Sequence, residues 1–129
     1  MVGGLTGSRS EPETLILGRF DADHRLRVVG RTTRITTAQA AQIAPLLRPP
    51  DRGHQRATHP WPQPLPAGWL GHIGQPEAVP YRPVEPELVV EVSVDRSSEQ
   101  GRFRHPVRLV RHRADMSPWQ TPPFRRDEP

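Results

Sequence analysis

The sequence predicts a small all-β domain carrying one helix. Several short runs alternate apolar and polar residues, which is the period of a half-buried strand. Only one stretch carries a helical stripe. Seventeen prolines and an apolar share of 33% across 129 residues leave room for a small core joined by long irregular connections.

The elements follow in order. Residues 1–12 (MVGGLTGSRSEP) are rich in Gly and Ser and are expected to be a hinge or linker. Residues 13–20 (ETLILGRF) read as a strand, with Leu15 and Leu17 on one face and Ile16 and Phe20 on the other. Residues 21–24 (DADH) are a turn, and 25–32 (RLRVVGRT) form a second strand, so that 13–32 is a β-hairpin. In that second strand Leu26 and Val28 point one way. Arg25, Arg27, Val29 and Arg31 point the other, offering guanidinium groups to solvent or to phosphate.

Residues 36–48 (TTAQAAQIAPLLR) are the helix. Thr36 and Gln39 have capping-box spacing, and Ala40, Ile43, Ala44 and Leu47 make its apolar stripe. Pro45 lacks the N–H that would bond to Ala41, so a kink or short last turn is expected there. Residues 49–68 are a proline-rich loop that Trp61 would pin to the body, and 68–74 (GWLGHIG) form a short strand or turn. In 86–95 (PELVVEVSVD), Leu88, Val90, Val92 and Val94 share a face, while Glu91, Ser93 and Asp95 share the other. Residues 102–113 (RFRHPVRLVRHR) form the last strand, interrupted early by Pro106. The tail 117–129 is expected to be extended and partly disordered. Four strands, or five, with one helix match a five-stranded Greek-key barrel of the OB type over 13–116; an SH3-like barrel has the same periodicity.

Composition narrows the chemistry. The net charge is +4, which favours an anionic partner such as nucleic acid. All eighteen basic residues are arginine, so no lysyl Schiff base or phosphoramidate can form on these residues. Cysteine is absent, which excludes disulfides, thiolate nucleophiles and cysteine-ligated metals. No apolar run approaches membrane-spanning length and the start lacks a signal-peptide pattern, so a cytoplasmic location is expected.

The histidines at 24, 54, 59, 72, 105 and 112 show no ligand spacing, and no metal site is expected from them. Glu85, Glu87, Glu91 and Asp95 read as solvated carboxylates. Gly68, Gly71 and Gly74 lack the strand-to-helix context of a nucleotide fingerprint. The last strand is different. Arg104, Arg108, Arg111 and Arg113 crowd a segment that also carries Val107, Leu109 and Val110. Planar guanidinium forks suit phosphate oxygens, although a charged edge strand that resists edge-to-edge pairing would look the same.

The stretch HPVRLVRHRADMSP (105–118) resembles the C-terminal nucleotidyltransferase motif of ATP-dependent DNA ligases. VGGLTGS (2–8), LILGRF (15–20) and LRVVGRT (26–32) resemble the passage from the adenylation domain into the OB domain of those enzymes. HPWP (59–62) and PELVVEVSVD (86–95) complete a similarity that runs from about Val2 to Phe124 and is closest to actinobacterial ligases. Met116 stands where the family motif has lysine.

The resemblance implies an OB domain without the adenylation domain and its AMP-carrying lysine, not competent alone. By position, Arg108, Arg111, Arg113 and Asp115 would orient the ATP phosphates. ATP and Mg²⁺ would be engaged only through a missing or partner adenylation domain. Nicked duplex DNA is the implied partner, together with a separate adenylation-domain polypeptide, in DNA repair or recombination. Arg25, Arg27, Arg31 and Arg34 are the candidate DNA-phosphate contacts, taken from strand alternation. The alternatives are a free-standing single-strand DNA-binding OB module or an inactive ligase gene fragment.

Overall fold

A computed structural model describes residues 1–50, 61–70, 78–93, 98–99, 102–103 and 105–124. His54, His59, His72, Val94, Asp95 and Arg104 lie outside the described residues. The strands are β1 (Val2–Gly7), β2 (Pro12–Phe20), β3 (Leu26–Arg31), β4 (Arg82–Pro83), β5 (Val90–Ser93), β6 (Ser98–Glu99), β7 (Arg102–Phe103) and β8 (Arg108–His112). The helix α1 spans Thr37–Ile43. The order in the main sheet is β3-β2-β1-β4, and β5 pairs with β8 and β6 with β7.

The domain is therefore mostly β with one short helix, and every strand ladder is antiparallel. Among the described residues these ladders form three sheets and do not close into a five-stranded barrel. Proline is one reason, because it cannot donate to a ladder. Pro106 separates β7 from β8, so the single strand expected at 102–113 becomes two with different partners. The sheets meet at one parallel bridge, Thr32 to Val107. There Val107 N–H donates to Arg31 O and Thr33 N–H donates to Val107 O, at 2.9 and 2.8 Å.

β2 is buried on both faces. Leu15 and Leu17 enter a main core with Val2, Leu5, Val29, Ile43 and Leu109. Ile16 enters a second cluster with Val28, Leu65, Leu70 and Tyr81. The glycine-rich start, expected as a linker, is instead β1, paired with β2 on one side and β4 on the other. Its glycines serve packing. A Cβ at Gly3 would sit 2.4 Å from Trp61 Cη2, so the bare backbone is what admits the indole. Trp61 Nε1 then donates to Leu26 O at 2.9 Å and holds residues 61–66, the described end of the proline-rich stretch, to the body.

The capping box of α1 is present in both directions between Thr36 and Gln39. Pro45 ends the α-helix, and Ala44–Leu46 continue as one 3₁₀ turn. The tail departs from expectation between Pro118 and Phe124. Trp119 stacks on Phe20 with ring centroids 4.6 Å apart, Phe124 is buried, and its N–H donates to Phe20 O. Aromatic area repays the ordering of such a segment, which composition alone does not show.

Candidate phosphate-binding face

A register irregularity in the β5–β8 ladder creates the candidate site. Val92 opposes Leu109, but Glu91 opposes Arg111, so Val110 has no partner. That is a β-bulge, in which one extra residue shifts the phase of the strand. Without it, strict alternation would place Arg111 and Arg113 on the face of Val107 and Leu109, which are buried. With it, Arg108 opposes Ser93 and Arg111 opposes Glu91, two positions on one face of β5. Opposed residues project together, so Arg108 and Arg111 share the outer face while Leu109 stays in the core.

The cluster is held by charge. Arg111 Nε and Arg113 Nη1 both reach Glu91 Oε1, at 3.3 and 3.2 Å. Arg113 also grips Asp115 with two parallel bonds of 2.9 and 2.8 Å. This bidentate pair draws the Asp115 carboxyl down to about 2 and raises the Arg113 guanidinium further. Arg108 is exposed. Of the residues grouped in the sequence, Arg111, Arg113 and Asp115 come together around Glu91, and Arg108 shares only the strand face of Arg111. Glu91, which the sequence reading took as solvated, is the carboxylate that aligns two of the arginines.

The second expected group does not form one surface. In the β2–β3 ladder Gly18 opposes Val28 while Leu17 opposes Gly30, leaving Val29 as another bulge. Arg27 therefore opposes Arg19 on the Leu17 face, while Arg31 opposes Ile16 on the other. This corrects the single arginine face expected along 25–31: Val29 enters the main core, and Arg27 and Arg31 part company. Arg25 and Arg27 line a groove along the β3 edge with Trp61, Trp69 and Arg102. Arg31 and Arg34 line a different one with Glu13, Thr33 and Pro106. Arg27 is partly neutralised by Asp21 at 3.6 Å, and Arg34 stands 4.0 Å from Glu13.

Sequence reading missed Arg19. It lies on the Leu15 and Leu17 face of β2, half-buried, and lines a cavity with Glu91, Arg113 and Met116. Alternation from Leu15 and Leu17 already placed it there; its charge drew attention away from a core-facing position.

Compared with known protein families, residues 8–116 match the family described as ATP dependent DNA ligase C terminal region. Searches of curated proteins and of solved structures found no match.

Proposed function

The chain belongs to the ATP-dependent DNA ligase C-terminal family, and from that premise we propose that it acts as an OB-type accessory domain in ATP-dependent nick sealing. In this reading Arg108, Arg111, Arg113 and Asp115 orient the nucleotide's phosphates, and the arginines of the β3 edge contact duplex DNA. The observation that carries it is the bulge at Val110, which sets Arg108 and Arg111 on one outward face, with Arg113 tied to Arg111 through Glu91. Preorganised guanidinium groups stabilise negative charge that develops on a leaving phosphate without having to reorient. The OB reading of the fold is supported by the Thr32–Val107 bridge between β3 and β8 and by the core that β1, β2, β3 and β8 share.

The 129 residues contain no lysine, so the AMP-carrying amine of the reaction must come from other residues than these. The carboxylates of the face suit this accessory role better than metal binding. Glu91 and Asp115 both pair with guanidinium groups, whose charge disfavours a cation beside them. Mg²⁺ would accompany the nucleotide on the adenylating partner.

The test is nick sealing with the chain supplied in trans to an adenylation-domain polypeptide on a nicked duplex. Sealing is expected only from the mixture, and Arg111→Ala with Arg113→Ala should abolish the gain. Equal sealing by the adenylation domain alone would refute the reading. One observation favours a second reading, single-strand binding: Trp119, stacked on Phe20 with His24 5.6 Å away edge-on, is still 66% exposed, and an exposed indole can stack a base. Tighter binding to single strands than to nicked duplex, lost in Trp119→Ala, would select it.

A further inference from the structure

A guanidinium on an inward strand face requires a counter-charge, because desolvating an unpaired ion is costly. Arg19 occupies such a position. It follows Leu15 and Leu17 on the core side of β2, and burial lowers its pKa. Its cross-strand neighbour is another cation, Arg27, an unfavourable pairing of like charges. Arg27 is relieved by Asp21 and by the Phe124 ring. Among the described residues Arg19 meets the Phe103 ring, 5.8 Å away, and the like charge of the Met1 ammonium, whose pKa it helps to lower, and it makes neither an ion pair nor a side-chain hydrogen bond.

What Arg19 does face is a cavity of about 190 Å³ behind the arginine face. Arg113 lines the same cavity, and so does Met116, the position at which the ligase motif would carry a further cation. The space has room for several waters or for a compact anion. The charged side chains that line it are two guanidinium groups, Arg19 and Arg113, against one carboxylate, Glu91. Apolar walls from Leu17, Val92 and Phe103 lower the dielectric and strengthen charge contacts made inside.

We propose that Arg19 and Arg113 form an inner anion site, reached from the arginine face, that takes a compact polyphosphate. The proposal rests on the phosphate reading of that face and adds a residue and a place to it. Arg19 supplies from β2 a positive charge at the cavity wall that Met116 does not. The bound anion would give Arg19 a counter-charge that no described residue supplies.

The experiment is a calorimetric titration of the full chain with inorganic pyrophosphate, alongside its thermal midpoint with and without the anion. Wild-type protein should bind, and pyrophosphate should raise its midpoint. Arg19→Leu should weaken binding by at least about ten-fold, the loss expected when a charged contact is removed. Its midpoint without anion should equal or exceed that of wild type, since a half-buried charge opposite Arg27 has gone. Arg19→Lys should retain part of the affinity and serves if the leucine variant does not fold. Arg9→Gln, at an exposed position away from the cavity, should change nothing.

Three results would overturn the inner site: no binding by wild type, equal affinity for sulfate and pyrophosphate, or unchanged affinity in the Arg19 variants. If affinity persists in the Arg19 variants but is lost in Arg111→Leu, the outer face binds the anion alone. The nick-sealing proposal then stands without the inner site.

Discussion

Replacing Thr32 by valine removes one oxygen and keeps the shape. Thr32 is fully buried, and its Oγ1 accepts from Leu15 N–H at 3.0 Å. Its own N–H donates to Leu15 O at 2.9 Å, and its backbone forms the bridge to Val107. The valine leaves the Leu15 amide buried without an acceptor, a cost of about 1–3 kcal/mol. The added methyl returns at most about 0.8 kcal/mol. The net loss is about 0.2–2 kcal/mol, which at roughly 4 °C per kcal/mol for a chain of this size lowers the thermal midpoint by about 1–8 °C. Thermal unfolding followed by circular dichroism measures this, and hydrogen exchange at the Leu15 amide localises it. Thr33→Val, one position on and exposed, is the control. An unchanged or higher midpoint for Thr32→Val would show that the amide finds another acceptor, and that the join between the main sheet and β8 does not depend on this hydroxyl.

Tyr81 is the one tyrosine, and burial raises its phenol from 10.0 to about 12. The folded state favours the neutral form, so this contribution to stability is complete below pH 10 and is lost as pH rises through about 12. An ultraviolet titration should show one phenolate transition near 12; a midpoint at the ordinary value would contradict the packing described. Asp115 is shifted the other way, from 3.8 to about 2, first by the side-chain bond from Arg113. The pair's contribution is present above pH 3.8 and is lost as pH falls through about 2. Arg113→Gln should return the Asp115 carboxyl midpoint in a carbon-13 NMR titration toward its ordinary value. Gly3→Ala should displace Trp61, since its Cβ would lie 2.4 Å from the ring. The assay is the Trp61 indole N–H signal in NMR, which should lose the shift imposed by its bond to Leu26 O; an unmoved signal would show that the strand yields instead of the ring.

Much of this protein was legible in its residues. Alternation located β2, β3, β5 and β8, because strands half-buried in a core must alternate. The Thr36–Gln39 spacing located the helix start, a local exchange of hydrogen bonds that needs no tertiary partner. Pro45 and Pro106 marked their breaks for the equally local reason that proline has no N–H to give. The motif around Arg108–Asp115 carried the family, and the missing lysine excluded the covalent step from these residues.

Tertiary structure decided which way the charges face. A bulge adds one residue, and one residue exchanges the two faces of a strand. Alternation is blind to it, since the extra residue is defined by the partner strand's register and not by its own neighbours. The bulge at Val110 brought Arg111 out beside Arg108, and the bulge at Val29 parted Arg27 from Arg31. The glycine-rich start became an inner strand because a tryptophan about sixty residues later needed bare backbone to pack on. Arg19, inward by its position and cationic by its chemistry, shares a cavity with Glu91 of β5 and with Arg113 only because the tertiary fold brings those segments to the end of β2.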